Sequence, residues 1–174
     1  MGRLEREEYL AASSRRVSII LDNIRSMHNV GAIFRTADAF RLEHIALCGI
    51  TGFPPHPEIH KSALGAEEVV PWVRFSDTKE AVDILLQKGY QVWALEQAEG
   101  SVPLQNLHQH LIPDKPFGLV VGNEVDGVQQ SVMDRCHGAI EIPQFGTKHS
   151  LNVSVAAGMA IWTLAQLYDF EENV

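Results

Sequence analysis

Polar side chains that could position or activate a reacting group are concentrated at three places in this chain. The first is DNIRSMHNVGAIFRTADAF, where Asn29 stands near the expected start of a helix and Arg35 interrupts its apolar repeat. We expect Asn29 to cap this helix, and an arginine in such a setting needs an acidic partner or an anionic ligand. From spacing alone, a salt bridge from Arg35 to Asp38 or Asp22 and a role in binding an anion are equally well supported.

The other two places are turns at the predicted ends of strands. In FGLVVGNEVDGV, Glu124 stands where a strand ends in a glycine-containing stretch. The glycines suit a tight turn that passes close to a ligand, but a hairpin-like turn with solvated acids is also compatible. In EIPQFGTKHSLNVSVAAGMAIW, a strand is followed by an alanine-rich helix that Ser150 is expected to cap, with Asn152 in its first turn. Amides at such a helix start can hold an anion or a carboxylate, although capping alone also explains these residues.

Strand-like apolar runs alternate with helical repeats along the chain. The predicted strands are 17–24, 44–50, 73–75, 90–96, 117–124 and 138–143. The predicted helices are 3–14, 29–41, 77–88, 128–136 and 150–170, and 51–71 is predicted to be a loop with a short helical piece. This alternation predicts an α/β fold, a mainly parallel sheet with helices on both faces. Ligands bind beyond the carboxyl ends of such strands, where the three polar stretches fall.

Length and composition predict one globular domain. The chain has 174 residues, of which 45% are hydrophobic and 21% charged, and we expect a short helical extension at 1–16 before a single domain at 17–174. No apolar run reaches the ~18 residues of a membrane span, and the N-terminus lacks the apolar core of a signal peptide. We therefore expect a cytoplasmic protein with no membrane partner. Cys48 and Cys136 are expected to be buried apolar residues rather than a disulfide or a zinc site.

The charge distribution bears on the class of ligand. The net charge of −8 argues against a general nucleic-acid binder. However, residues 1–41 hold seven arginines and five acids, whereas the remainder holds seven basic and seventeen acidic residues. An anion would be received most readily by the first part of the chain. The stretch GNEVDG matches neither the GxGxxG fingerprint nor the phosphate loop, which weakens the interpretations as a dehydrogenase or an NTPase.

Together, the stretches NVGAIFRTADAF, LVVGNEVDGV and IPQFGTKHSLNVSVAAGMAIW resemble the three motifs of the SpoU (TrmH-type) RNA 2'-O-ribose methyltransferases, a branch of the SPOUT superfamily. KSALGAEEVVPW also resembles the segment that this family has between the first two motifs. The resemblance spans Ser18 to Leu167. It implies an α/β fold with a C-terminal deep trefoil knot, S-adenosylmethionine as cofactor, tRNA or rRNA as substrate, and a homodimer with the active site at its interface.

The resemblance also implies roles for individual residues. Arg35 matches the arginine that activates the ribose 2'-hydroxyl, and Asn29 matches the asparagine that positions this arginine or the ribose. The remaining positions divide into residues that orient the substrate (Glu124, Ser150 and Asn152) and residues that line the cofactor site (Leu95, Gly122, Ile142 and Leu151). Since the pKa of arginine is ~12.5 or above, we expect electrostatic activation rather than proton abstraction. No metal is required, and His56, His60, His108 and His110 are interpreted as loop residues.

Two departures and two alternatives remain. Many members of the family have Asp-Pro where this chain has SMHN, and the chain is short and acidic. RNA affinity is therefore expected from the arginine-rich N-terminal region, doubled by dimerisation, or from another partner. A non-catalytic RNA-binding or assembly protein that retains the knotted fold is one alternative. A Rossmann-type oxidoreductase is the other, but its glycine fingerprint is missing.

Overall fold

The computed structural model describes Glu8, residues 13–147 and residues 150–168. The strands are β1 (Arg15–Asp22), β2 (Leu42–Cys48), β3 (Trp72–Phe75), β4 (Gln91–Leu95), β5 (Val102–Pro103), β6 (Phe117–Gly122) and β7 (Gly138–Glu141). The α-helices are α1 (Met27–Ala39), α2 (Pro57–Ala63), α3 (Thr78–Gln87), α4 (Gln130–Met133) and α5 (Val153–Leu167). The helix predicted at 3–14 lies largely outside the described residues, as do Lys148 and His149.

All described strands belong to one sheet with the order β3-β2-β1-β6-β4-β7-β5, and every neighbouring pair in it is parallel. The predicted parallel α/β architecture is confirmed. Asp22 at the end of β1 is in register with Cys48 and Gly122, and Leu95 at the end of β4 is in register with Ile140. The carboxyl ends of the central strands therefore meet at one edge of the sheet. The trefoil knot stays a prediction from the resemblance.

Alternating side chains of β1 supply the two apolar faces of the sheet. Ile19 and Leu21 are buried in a cluster with residues of α1, α2 and α5. Ile20 is buried in a second cluster with residues of α3 and α4. Because successive strand residues point to opposite faces, helices cover the sheet on both sides, as predicted. α1 and α2 approach so closely that a Cβ on Gly31 would lie 2.4 Å from the carbonyl oxygen of Ile59.

Both helix starts predicted in the polar stretches are displaced. α1 begins at Met27, and its cap is Ser26, whose Oγ accepts a hydrogen bond of 3.2 Å from the Asn29 amide. The cap of α5 is Asn152, whose Oδ1 accepts from the Ser154 amide at 2.9 Å. The predictions that Asn29 and Ser150 are caps are therefore wrong. Each stretch holds two residues able to cap, and the path of the incoming chain decides which one does so.

The interpretation of the four histidines as loop residues holds for His56 and His110 and is wrong for His60 and His108. His60 lies in α2, and His56 caps that helix by accepting from the Glu58 amide, while Pro57 occupies the first helical position. His108 lies in a 3-10 turn, Leu104–Gln109, that the sequence pattern did not reveal. The predicted cap of α3 is confirmed, because the carboxylate of Asp77 accepts from the Lys79 amide at 2.9 Å.

The two cysteines behave as expected of buried residues. Cys48 is fully buried and Cys136 partly so, and no disulfide joins them. Burial raises the pKa of both thiols to about 12, so each stays protonated at neutral pH. None of the helices in the described residues combines the length and apolarity needed to span a bilayer.

Candidate active site

A cavity of about 250 Å³ opens at the carboxyl ends of β4, β6 and β7. Its walls include the four residues predicted to line a cofactor site, Leu95, Gly122, Ile142 and Leu151. Glu124 and Ser150 also line it. This volume is near the lower end of the ~300–1,000 Å³ that small-molecule sites span. The structure thus brings the second and third polar stretches of the sequence to one concave site.

One wall of the cavity is a tight turn after β6. Asn123 Oδ1 accepts hydrogen bonds of 2.8 Å from the amides of Val125 and Asp126, and Gly127 has a positive φ of 68°. The turn folds back so closely that a Cβ on Gly122 would lie 2.2 Å from the carbonyl carbon of Gly127. Gly122 is therefore required by the close approach of two backbone segments.

Glu96 is a cavity residue that the sequence reasoning missed. It follows β4 directly, and its Oε2 accepts a hydrogen bond of 2.9 Å from the Val128 amide beyond the turn. Its Oε1 accepts from the Gln97 amide at 3.0 Å. A signal was present, since Glu96 is polar and stands at the carboxyl end of a predicted strand, as Glu124 does.

A hydrogen-bonded chain of side chains joins the three polar stretches at the rim of the cavity. Asn29 Nδ2 donates to Glu124 Oε1 at 2.8 Å, and Asn152 Nδ2 donates to Asn29 Oδ1 at 3.2 Å. Asn29 is only 6% exposed, so both ends of its amide are used in a water-poor setting. These contacts link residues 95 and 123 positions apart and fix the orientation of all three side chains.

Arg35 is not part of this chain. It lies six residues after Asn29, about 9 Å further along α1 and on a different side of the helix, where it is exposed. The salt bridges considered from the sequence are not formed. Asp22 is fully buried and accepts from Thr78 Oγ1 at 2.6 Å, and burial raises the pKa of Asp38. Among the described residues, no carboxylate is paired with Arg35.

The cavity is lined by acidic rather than basic side chains. Glu96, Glu124 and Glu141 are among its walls, and no lysine or arginine is found among the described lining residues. Such a lining favours a ligand that carries positive charge over an anion such as a phosphate. The helix start at Asn152 does not change this, because the Asn152 side chain already accepts from its first free amides.

One group of side chains away from the cavity has the composition of a metal site. His60, Glu67 and Glu68 place their potential ligand atoms within 4.8 Å of one another. Within this group His60 Nδ1 already donates to Glu67 Oε1 at 2.5 Å, which raises the pKa of His60, and Glu67 Oε2 accepts from the Gly65 amide. His60 and Glu67 therefore form an ion pair that connects α2 to the turn that follows it.

The sequence and the fold were compared with those of known proteins. Residues 16–162 match the model of the SpoU rRNA Methylase family. The chain is 31% identical over 144 residues to the 23S rRNA (guanosine-2'-O-)-methyltransferase RlmB of Coxiella burnetii. The same figures hold for a TrmH family tRNA/rRNA methyltransferase of Staphylococcus haemolyticus. Each match covers 83% of this chain and 56% of the relative, so the chain spans little more than half the length of these proteins.

Solved structures of similar fold include two informative ones. The TrmH/SpoU tRNA modifying enzyme of A. aeolicus has a TM-score of 0.78 and 25% identity, over 91% of this chain and 78% of that one. The AdoMet-bound rRNA methyltransferase from Sinorhizobium meliloti has a TM-score of 0.79 and 28% identity, over 95% of this chain and 61% of that one. With its parallel sheet, its cavity at the carboxyl ends of the strands and the match over 16–162, this chain belongs to the SpoU rRNA methylase family.

Proposed function

We propose that this protein transfers a methyl group from S-adenosylmethionine to a ribose 2'-hydroxyl of tRNA or rRNA. The observation that carries the proposal is the convergence of Asn29, Glu124 and Asn152 beside one cavity, in a chain of the SpoU family. The name of the Coxiella relative specifies 2'-O-methylation of guanosine in 23S rRNA, and the Sinorhizobium structure is described as AdoMet-bound.

The cavity suits S-adenosylmethionine in both polarity and charge. Leu95, Ile142 and Leu151 offer apolar surface for an adenine ring, and Gly122 and Asn123 of the turn lie on the same cavity wall. The carboxylates of Glu96 and Glu141 favour a sulfonium cation over neutral ligands of the same shape. When bound, the cofactor supplies a methyl group on a good leaving group, so positioning of the hydroxyl contributes much of the rate.

The protein's own side chains divide the remaining work. Arg35 stabilises the negative charge that develops on the 2'-oxygen during attack, since its guanidinium cannot serve as a base at neutral pH. Asn29, held by Glu124 and Asn152, positions the ribose, because Arg35 of the same chain lies on a different side of α1. Ser150 lies on the cavity wall, where it orients the substrate. No metal ion is required for this chemistry.

The proposal includes a homodimer. The side chains of Val155, Met159 and Trp162 form a stripe on one side of α5 and are 52%, 43% and 56% exposed, and Phe145 is 97% exposed. Apolar surface of this extent marks a contact site between proteins. Val153 and Ala156 on the same helix line the cavity, so a second copy seated on the stripe lies beside the cavity mouth. We also place the protein in the cytoplasm, as predicted from the sequence.

The test is methyl transfer by the 174-residue chain from labelled S-adenosylmethionine to tRNA and rRNA of cells that lack this protein. Arg35→Ala is expected to retain cofactor binding by calorimetry and to lower the rate at least ~100-fold. Arg135→Ala is the matched control, because this arginine is also partly exposed but pairs with Asp83 on the opposite side of the sheet. Its rate is expected to stay within about twofold of wild type.

Two outcomes contradict the proposal in different ways. A wild-type protein that binds RNA but neither binds S-adenosylmethionine nor methylates any RNA supports the non-catalytic alternative. An Arg35→Ala protein that methylates at the wild-type rate leaves the activity in place and removes the role assigned to Arg35.

A further inference from the structure

An aromatic and cationic surface lies at the edge of the sheet, outside the cavity. It consists of Phe53, Trp72 and Arg74, and we call it the edge platform. The guanidinium carbon of Arg74 is 4.2 Å from the centre of the Phe53 ring, and the Phe53 and Trp72 ring centres are 6.5 Å apart at an angle of 35°. Phe53 and Trp72 are 39% and 36% exposed, and Arg74 is exposed as well.

The sheet determines the side on which the edge platform lies. β3 is an edge strand, and its residues Trp72 and Arg74 alternate with Val73, so they project from the same face. They are in register with Ile45 and Leu47, which are buried in the cluster that includes residues of α1. The edge platform therefore continues the α1 side of the sheet beyond the last strand.

The edge platform is also rigidly connected to the rim of the cavity. Thr51 Oγ1, two residues before Phe53, donates to the Leu21 carbonyl and accepts from the Ile24 amide, each at 3.0 Å. Gly52 lies against Met27, the first residue of α1, so closely that a Cβ would be 1.9 Å from its sulfur. Asn29 is two residues further along that helix. Phe53 and the rim of the cavity thus lie at the same carboxyl edge of the sheet, and Trp72 and Arg74 extend the edge platform along β3.

Charges near the edge platform leave Arg74 available to an anion. Asp77, which lies between β3 and α3, caps α3 and pairs with Lys79 at 3.1 Å. Glu58 in α2 pairs with Lys61. Among the described residues, no carboxylate pairs with Arg74, whose contact is the Phe53 ring. The chain has a net charge of −8, so the surface around the unpaired guanidinium of Arg74 is more positive than the average surface of this protein. Guanidinium and aromatic planes are the surfaces on which proteins stack unpaired bases.

We propose that the edge platform binds an unpaired nucleotide of the RNA substrate, with the base stacked on Arg74 or Trp72 and its phosphate near the guanidinium. The inference rests on the proposed function for its choice of RNA. In the sheet order, β3 and β6 are three strand spacings apart, about 14 Å. The edge platform and the β6 wall of the cavity are therefore at least about that far apart, so the base that the edge platform binds belongs to a different nucleotide from the methylated one.

The experiment measures anisotropy of fluorescein-labelled oligouridylate and oligoadenylate of about 12 nucleotides, which is within the site sizes of single-strand binders. Trp72→Leu and Arg74→Ala each remove one of the two proposed stacking surfaces, and the one that carries the base is expected to weaken binding about 5- to 150-fold, the range for loss of one stacked base. Arg74→Lys keeps the charge and loses the planar stacking surface, so it is expected to weaken binding while leaving the salt dependence unchanged. Lys88→Ala is the matched control, because it removes an exposed cation at the C-terminal end of α3, whereas β3 leads into the N-terminal end of that helix. It is expected to bind as wild type does.

The outcomes separate this inference from the proposed function. Equal binding by wild type, Trp72→Leu and Arg74→Ala, or no binding by wild type, contradicts the proposal that the edge platform binds a nucleotide. Equal binding by wild type and Arg74→Lys overturns the stacking and leaves only charge. Methyl transfer by wild type is measured in parallel. If wild type is active but the variants bind equally well, the proposed function stands and the edge platform does not. If wild type is inactive but binding depends on the edge platform, only the binding of a nucleotide by the edge platform stands. Thermal unfolding checks that each variant is folded.

Discussion

The cavity and the exposed side formed by α1 and α5 differ in how completely one chain builds them. At the cavity, the turn after β6 packs against Gly122, and Asn29, Glu124 and Asn152 hold one another by hydrogen bonds. On the exposed side, Arg35 has no acidic partner among the described residues, and apolar side chains such as Met159 face solvent. The first region is preorganised, whereas the second lacks a partner.

This difference separates two functions, the binding of the cofactor and the activation of the ribose hydroxyl by Arg35. A cavity closed by backbone and fixed polar groups can bind a small cofactor without rearrangement. An exposed arginine outside the cavity can act on a substrate only when that substrate is brought against it. A second copy of the chain or a bound RNA would bring it there, and the charge on Arg35 would then act in a drier setting where it is stronger.

The largest expected effect comes from breaking the preorganised region. Gly122→Ala forces a Cβ against the backbone of Gly127 and Val128, at 2.2 and 2.3 Å, so the turn must move. We expect loss of S-adenosylmethionine binding by calorimetry and ~1–3 kcal/mol of lost stability in thermal unfolding. Gly118→Ala, on the same strand, is the control. Its Cβ meets only the side-chain ends of Leu85 and Val92, at 3.1 and 3.2 Å.

Retained cofactor binding in Gly122→Ala would contradict the assignment of Gly122 to the wall of the cofactor site. The control is expected to lose less stability and to bind the cofactor as tightly as wild type does. Comparing the two variants distinguishes the effect of the backbone clash at Gly122 from a general destabilisation of β6.

An intermediate effect is expected from the incomplete region. Met159→Glu places a charge in the exposed stripe of α5, and we expect at least tenfold weaker dimerisation by analytical ultracentrifugation, since desolvating an unpaired charge is costly. Methyl transfer should fall with the dimer fraction and recover at higher protein concentration. Ile112→Glu, at another partly exposed apolar site, should leave the dimer intact. A wild-type protein that sediments as a monomer at all concentrations contradicts the dimer.

The smallest effect tests the link between the two regions. Asn152 both caps α5 and donates to Asn29, so its substitutions can separate the two contacts. Asn152→Ala loses both contacts and should cost ~1 kcal/mol of stability, whereas Asn152→Ser keeps a cap and should cost only a few tenths. Because both lose the donor to Asn29, both should lower the methyl-transfer rate by a similar ~2- to 10-fold. Activity that follows stability instead would assign Asn152 a capping role alone.

Local features were predictable to the extent that their causes are local. The alternation of strands and helices and the cap at Asp77 follow from periodicity and side-chain chemistry within a few residues. β5 has only two residues, one of them Pro103, so no periodicity could reveal it. The caps of α1 and α5 were misplaced because Ser26 and Asn152 compete with equally suitable neighbours, and tertiary packing of the incoming chain selects between them.

The sequence by itself determined the parallel α/β class, the position of polar residues at strand ends and the resemblance to the SpoU family. Only the tertiary structure decided which of these residues meet. Asn29 reaches Glu124 and Asn152 because β6 lies between β1 and β4 and brings distant strand ends to one edge. It also decided that Arg35 and the edge platform face solvent. Contacts between residues 95 or more positions apart depend on strand order, which no local pattern encodes.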